Sequence, residues 1–410
     1  KYIDDILADI LSLNNLPETV ITAKGENAAG DAFNLNEVVR PTMITVRALR
    51  AKLWVYAASP LFNGGWDKAM EVKNPNGKQL FPAKDPAKWQ TAKLHLEELL
   101  EACKEDGHEL YEYQVNGTNN PEMSVYRLFQ DYNREILWCS TNNSYSDQYK
   151  MEKRTNPRDV NACYGTIGPS QEAVDMFFTK DGLTIGEDPN YHEDALVQVT
   201  NTAYDDAGKE THNDPNVFNM YSNREPRFYQ DVIYQGKSWF KVFQSKSGNS
   251  NYQVDFSLRG GAGPESSDTP QSGYLLGKFK NRSVNHASGD TQKYTRVSII
   301  YRLAEFYLFY AEALNEIDPS DSRIIEYIDK VRERAGIPTY AKLAEEGIKD
   351  IRGNYEKQKE VIQRERFVEL YCEGQWYFDI RRWMICGKGQ LADQTRFSGM
   401  NEYGTPDVAI

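Results

Sequence analysis

The sequence predicts a mainly α fold in which tetratricopeptide-like helix pairs carry a loop-rich, partly β insertion. Three observations lead there. Apolar stripes at helical spacing occur in a pair of segments near the start and again in a pair near the end. Each segment is bounded by the proline, glycine and acidic residues that start and stop helices. Between the two pairs, residues 116–295 are rich in Asn, Gly, Asp, Pro and Tyr and show only short strand-like pieces.

The first helix is expected over about Thr42–Ala58, with Val46, Leu49, Leu53 and Ala57 on one stripe. It should stop at Ser59-Pro60, because a proline disfavours helix for the residue before it. A second opens at Asp85-Pro86, carries Trp89, Ala92, Leu96, Leu99 and Cys103, and ends at Gly107. The later pair runs from about Val297 to Ile317 and then through Ile324, Ile328, Val331 and Ala335 to Gly336. Two helices joined by a short turn are expected to pack antiparallel, as in a tetratricopeptide unit. With only two pairs, about 200 residues apart, the chain is not a regular solenoid. It divides into a repeat-helix part at 1–115, a variable region at 116–295 and a second repeat-helix part at 296–410, expected to form one structural domain.

In the middle, Val232-Ile233-Tyr234, Gln235-Gly236 and Ser238-Trp239-Phe240 read as a hairpin, and 260–271 as a loop. Residues from about Lys357 to Trp383 read as one long helix of mixed character. Glu365 and Glu369 stand four apart on the same side, so in a core they require the neighbouring arginines as partners.

Bulk properties exclude several functions. The chain has 60 acidic and 48 basic residues and a net charge of −12, which disfavours nucleic acid and anionic membrane surfaces. The apolar stretch from Val46 to Phe62 is interrupted by Arg47, Arg50 and Lys52, far short of the roughly 20 apolar residues that span a bilayer. The chain starts at Lys1, so a signal peptide or lipid-bearing cysteine is expected upstream. Five cysteines, with no C-x-x-C, are too sparse for a disulfide scaffold and too scattered for zinc; the odd count leaves at least one free thiol, and five free, buried cysteines are one reading.

Enzyme motifs fail on inspection. Gly168-Pro169-Ser170 lacks the second glycine of a nucleophile elbow. Gly236-Lys237-Ser238 has Asp231 where a phosphate loop requires glycine. The five histidines lack metal-ligand spacing. No catalytic residue, resident metal or organic cofactor is expected. Asp205-Asp206 and Glu187-Asp188 offer the hard oxygens that a structural calcium takes, though solvated loop acids are the preferred reading.

Aromatic residues are abundant, with 26 Tyr, 17 Phe and 7 Trp. Sugar binding requires ring faces for C–H groups beside polar side chains for hydroxyls. Loop aromatics with such neighbours are Trp66, Tyr145, Tyr149, Tyr191, Tyr204, Trp239 and Tyr252. Each could instead be a packing residue.

Six boxes in order then resemble one family. Ala48-Leu49-Arg50-Ala51-Lys52 runs into Tyr56-Ala57-Ala58-Ser59-Pro60-Leu61-Phe62-Asn63. Gly168-Pro169-Ser170-Gln171-Glu172-Ala173-Val174-Asp175-Met176-Phe177 precedes Lys180-Asp181-Gly182. Asn223-Arg224-Glu225-Pro226-Arg227-Phe228 is a third. Arg302-Leu303-Ala304-Glu305 with Tyr310-Ala311-Glu312-Ala313, and then Val331 to Ile337, are the fourth and fifth. The sixth joins Glu365-Arg366-Phe367-Val368-Glu369-Leu370 to Glu373-Gly374-Gln375-Trp376-Tyr377-Phe378-Asp379-Ile380-Arg381-Arg382-Trp383. Spanning about Leu49 to Trp383, they resemble the SusD/RagB family of outer-membrane nutrient-binding lipoproteins, and the chain looks like the C-terminal two-thirds of a member. The resemblance implies a lipid-anchored protein on the extracellular face that takes part in polysaccharide utilisation. It would bind glycan without catalysis and hand it to a SusC-like TonB-dependent transporter. Three other readings stay open: a peptide receptor of the same fold, a glycoside hydrolase whose two carboxylates need only be near in space, and a pure assembly scaffold with no pocket among the middle loops.

Overall fold

Thr42 ends an extended stretch and begins the first long repeat helix. In the computed structural model, which describes residues 1–20, 38–140, 145–160, 163–204, 210–239, 252–264, 268–282, 284, 286, 296–386 and 399–400, α1 spans Tyr2–Leu13 and α2 spans Met43–Ala58. Thr42 Oγ1 accepts from the Thr45 amide, and Thr45 Oγ1 accepts from the Thr42 amide, both at 3.2 Å. Two amides that a helix start would leave orphaned are thereby satisfied. The helix stops at Ser59, in extended conformation before Pro60. After the single turn α3, Asp67–Met70, comes α4, Ala87–Glu105. Ala48, Ala51 and Val55 of α2 pack with Ala92, Leu96 and Leu99 of α4, small residues that let the two helices approach closely.

The chain then makes the hairpin β1, Gln114–Val115, and β2, Thr118–Asn119. Next come α5, Pro121–Leu128, capped by Asn120, and β3, Ile136–Ser140. Helices α6, Tyr145–Thr155, and α7, Gln171–Asp175, precede the nine-residue strands β4, Leu196–Tyr204, and β5, Glu210–Phe218. The one-and-a-half-turn α8, Pro226–Asp231, leads into β6, Val232–Ile233, followed later by β7, Leu275–Leu276. Strand β8 is Ser298–Arg302, and α9 is Leu303–Ile317. The chain continues through α10, Arg323–Ala335, α11, Tyr340–Glu345, α12, Tyr355–Glu369, and α13, Trp376–Arg382. Among the described residues the strands form four separate antiparallel pairs, β1–β2, β3–β8, β4–β5 and β6–β7. The fold is mainly helical, as expected from the sequence.

The α9–α10 pair forms as expected. Tyr310 meets Tyr327 and Leu308 clusters with Val331, so the two helices run antiparallel across the turn at 318–322. Gly336, at φ +74°, ends α10 in a conformation that favours glycine. Helices α2, α4, α9, α10 and α12 contribute to one apolar cluster.

Four expectations need correction. The segment predicted as helix from Val297 is strand up to Arg302. Ile299, Ile300 and Tyr301 are β-branched or aromatic, and β3 supplies them a ladder, with Cys139 opposite Ile299 and Ile136 opposite Arg302. The long helix expected over 357–383 is two helices. They are broken at 370–375, where Cys372 and Gly374 take φ of +58° and +81°, and the break swings Glu373 onto Arg302 and Lys278. Finally, Gln235-Gly236 does turn, with Gly236 at φ +85°, but it does not close the expected hairpin. Val232-Ile233 pair with Leu275-Leu276, while the Trp239 amide donates to the Tyr252 carbonyl at 2.8 Å. Phe240 lies outside the described residues. Nor are all five cysteines buried: Cys372 and Cys386 are exposed.

Buried ion pairs weld α12 to the rest. Arg302 donates to Glu369 at 2.6 Å and to Glu135 at 2.7 Å. Arg334 bonds Glu135 at 2.9 Å and also Glu369. Arg227 reaches Glu365 and Glu225, both at 2.6 Å, and Glu369 at 3.1 Å. Burial opposes ionisation of Glu369, yet Arg334, Arg302 and Arg227 together hold its carboxyl well below the usual carboxylate range. Glu365 and Glu369 therefore have the arginine partners that their spacing called for.

Candidate functional site

Most of the aromatic surplus is structural. Tyr221 stacks on Tyr234 at 4.5 Å and Phe228 on Tyr234 at 5.4 Å, inside a cluster that also takes Phe177, Tyr274 and Tyr371. Trp239 and Tyr252 are brought side by side, but at 2% and 7% exposure they pack with Val254, Phe256 and Leu275 and show no open ring face. Burial pushes the Tyr252 hydroxyl well above its ordinary range. Tyr191 is half-buried, its Oη donates to Glu193 at 3.3 Å, and the Arg224 guanidinium lies 5.8 Å from its ring. The side chains of Tyr145 and Tyr149 on α6, and of Tyr204 at the end of β4, lie outside the described residues.

The acidic pairs considered for calcium fare similarly. Asp205-Asp206 lies outside the described residues. Glu187 pairs with Lys349 at 2.6 Å and accepts from Thr184 Oγ1 at 3.0 Å, while the buried Asp188 accepts from the Asn190 amide at 2.8 Å. Among the described residues no group of three or more His, Cys, Asp or Glu side chains could hold a metal ion. Nor, among them, is any helix long and apolar enough to cross a membrane.

Trp66 is different. Its ring is 42% exposed and lines a cleft of about 300 Å³ with Leu61, Arg381, Met384 and Cys386. The turn that presents it is tightly fixed. Asn63 Nδ2 donates to the Ala58 carbonyl at 3.2 Å and the Asp85 carbonyl at 2.9 Å, and Asn63 Oδ1 accepts from the Asp85 amide at 2.9 Å. Gly64 sits at φ +73°, and a Cβ there would meet the Lys84 amide nitrogen at 2.4 Å; a Cβ on Gly65 would meet the Pro60 carbonyl oxygen at 2.6 Å. Only glycines allow the backbone to pass here and turn the ring outward. Trp66 is further held edge-to-face by Phe81 at 6.1 Å.

Opposite Trp66, α13 presents one face. Tyr377, Phe378 and Arg381 are spaced i, i+1 and i+4, and the two rings are 58% and 52% exposed. The Arg381 guanidinium stacks 3.4 Å from the Tyr377 ring centre and donates to the Tyr377 carbonyl at 2.7 Å. The other face of α13 is anchored through buried Asp379 and Arg382. Arg381 thus lines the Trp66 cleft and is positioned by its stack on Tyr377. Ring faces take the C–H groups of a sugar, and a guanidinium donates to its hydroxyls. No carboxylate lines the cleft among the described residues. Tyr377, Phe378 and Arg381 escaped the sequence reading because it treated 357–383 as one continuous helix, which misplaces the exposed face beyond Glu369.

Comparison with known proteins decides the family. The model of the SusD family matches residues 134–407. The chain belongs to the SusD family. Its fold is similar to that of a solved protein named BT4246, with a TM-score of 0.71 and 24% identity over 93% of this chain and 65% of that one. A SusD-like protein from Bacteroides fragilis gives a TM-score of 0.61 at 21% identity, covering 93% of this chain and 60% of its own. A SusD-like carbohydrate-binding protein, also from Bacteroides fragilis, gives 0.55 at 16%, covering 93% and 58%. The chain therefore spans about 65% of the length of BT4246. A comparison with curated proteins finds no match. In this SusD-family chain, the family boxes around Arg227, Arg302, Arg334 and Glu369 are buried structural pairs, whereas the Trp66 cleft is open.

Proposed function

We propose that this chain serves as a cell-surface glycan-binding protein, held at the outer membrane by a lipid anchor, that passes its ligand to a SusC-like TonB-dependent transporter. Membership of the SusD family supports the role, and a carbohydrate-binding protein is among the solved structures of similar fold. The observation that carries the reading for this chain is Trp66: an exposed indole on a rigid turn, lining an open cleft together with Arg381, whose guanidinium stacks on Tyr377. Stacked C–H groups and hydroxyl hydrogen bonds account for binding without any bond being broken.

Affinity electrophoresis tests it, with starch, xylan, galactomannan and β-glucan each cast in native gels. The parent should be retarded by at least one of the four, and Trp66→Ala should run closer to its mobility in a plain gel. Incubation with the retarding polysaccharide should release no new reducing ends. Unretarded migration in all four gels would overturn the reading.

A further inference from the structure

A second groove, which shares no lining residue with the Trp66 cleft, lies between α4 and the α9–α10 pair. Its volume is about 610 Å³, within the roughly 300–1,000 Å³ of small-molecule sites. Tyr307, Tyr310 and Tyr327 line it, with Tyr327 edge-on to both others at 5.1 and 4.8 Å. Tyr307 and Tyr327 are half-buried and so keep part of each ring available, while Tyr310 is buried. Because the rings hold one another on rigid helices, little rotamer freedom remains to be lost when a ligand arrives.

Polar groups are laid along the rings. Tyr310 Oη donates to Glu97 at 2.7 Å and accepts from Arg323 Nη1 at 2.7 Å, and Arg323 also reaches Glu97 at 3.1 Å. Lys330 Nζ lies 4.0 Å from the Tyr327 ring centre and bonds Glu326 at 2.6 Å. The lining acids Glu97, Glu101 and Glu326 are matched by Lys104, Arg323 and Lys330. A groove with balanced charges favours neither a polyanion nor a polycation. Tyrosine edges, fixed donors, fixed acceptors and no net charge together suit a neutral polyhydroxylated ligand.

We propose that this tyrosine groove is a second binding site for a neutral oligosaccharide, independent of the Trp66 cleft. The proposal rests on the glycan-binding reading above and adds a separate place on the repeat scaffold where a short sugar segment is held. Lys330, on a flexible stem, then donates to a sugar hydroxyl beside Tyr327.

Titration calorimetry with the neutral hexasaccharides maltohexaose, cellohexaose, xylohexaose and mannohexaose tests it, using the parent, Trp66→Ala, Tyr327→Ala and the double variant. Trp66→Ala should retain binding of at least one probe, and adding Tyr327→Ala should remove it by five-fold or more. Glu101→Arg alters only the exposed rim of the groove and should weaken the same component, which guards against a Tyr327→Ala that fails to fold. If Trp66→Ala alone abolishes all binding and neither groove variant changes the parent isotherm, the groove is not a sugar site, while the Trp66 reading survives. If hexagalacturonate displaces the neutral probe from the groove at lower concentration, the assignment to neutral sugars is wrong. If the parent binds no probe and is also unretarded in the gels, both readings fall.

Discussion

Arg382 grips Glu312 through two parallel hydrogen bonds, Nη1 to Oε1 at 2.5 Å and Nη2 to Oε2 at 2.6 Å. The forked guanidinium matches the carboxylate, and Trp383 Nε1 adds a third bond to Oε1 at 2.7 Å. Arg382 Nε also donates to Asp379 at 2.7 Å. This pair bolts α13 to α9 and sets which face of α13 looks outward. Glu312→Ala should destabilise the protein by ~3–5 kcal/mol in urea unfolding, because Arg382 is left charged and buried without its main partner. The double change Glu312→Leu/Arg382→Met should recover only part of that loss, since it removes the uncompensated charge but leaves the Trp383 indole N–H without its acceptor and Asp379 with Arg366 alone.

The sequence made such scaffold features legible where local chemistry was decisive. Pro60, Gly107 and Gly336 ended helices where expected, and the apolar stripes around Leu96 and Ile328 located the core. Legibility failed where long-range partners decided the outcome. Ser298–Arg302 is strand because Ile136–Ser140 lies beside it. Strands β4 and β5 pair over polar residues such as Asn201 opposite His212, and the alternation at Val197 and Val199 is too short to announce a nine-residue strand. At the site, the Asn63-Gly64-Gly65 turn marked Trp66 as a loop ring. Whether Trp239 faced solvent depended on Val254 and Leu275, which are distant in sequence.

Glu369 sits where Arg302 and Arg227 converge at 2.6 and 3.1 Å, with Arg334 a third partner. Glu369→Ala should cost ~3–5 kcal/mol, read from the urea midpoint at pH 7. A variant as stable as the parent that had lost all glycan retention would show that Glu369 acts on ligand rather than on the scaffold.

Asp231 should make stability fall as pH rises towards neutrality. Its carboxylate is buried and neither oxygen accepts a hydrogen bond from a described residue, while Lys278 Nζ stands 3.7 Å away. Burial, only partly offset by Lys278 and reinforced by Glu369 and Glu373, pushes the carboxyl from 3.8 up to about 7. Between those values the folded state keeps a proton that the unfolded chain has released. The contribution is therefore full below 3.8 and gone above about 7. Asp231→Asn removes the titration, so its stability relative to the parent should improve from pH 4 to pH 8. The change is on the order of 4 kcal/mol at most. Equal pH dependence in parent and variant would show that Asp231 does not carry this proton.

Trp239→Ala should behave as a core deletion. Its ring packs with Val254, Phe256 and Leu275 at 2% exposure, so truncation leaves a void worth ~3–5 kcal/mol. Glycan affinity measured well below the unfolding transition should stay within two-fold of the parent, on the order of 0.4 kcal/mol. A large loss of affinity without loss of stability would return Trp239 to the ligand.

Trp66→Ala should show the opposite pattern. The indole is 42% exposed, and the turn beneath it is held by Asn63 through bonds to Ala58 and Asp85 that do not involve the ring. Truncation therefore removes a platform without opening the core, and surface changes of this kind move stability by about 0.5 kcal/mol or less. A sugar stacked on the ring should lose on the order of 1–3 kcal/mol of binding, as truncated aromatic anchors do in other interfaces. That is roughly a 5- to 150-fold weaker dissociation constant. Arg381→Ala should weaken binding as well, and the two losses should be coupled only if both side chains touch the same sugar. A double-mutant cycle on Trp66 and Arg381 measures that coupling directly, because each single change leaves the other partner in place. Additive losses would mean that the ring and the guanidinium serve different parts of the ligand. A coupling of ~0.5 kcal/mol or more would place one sugar residue between them.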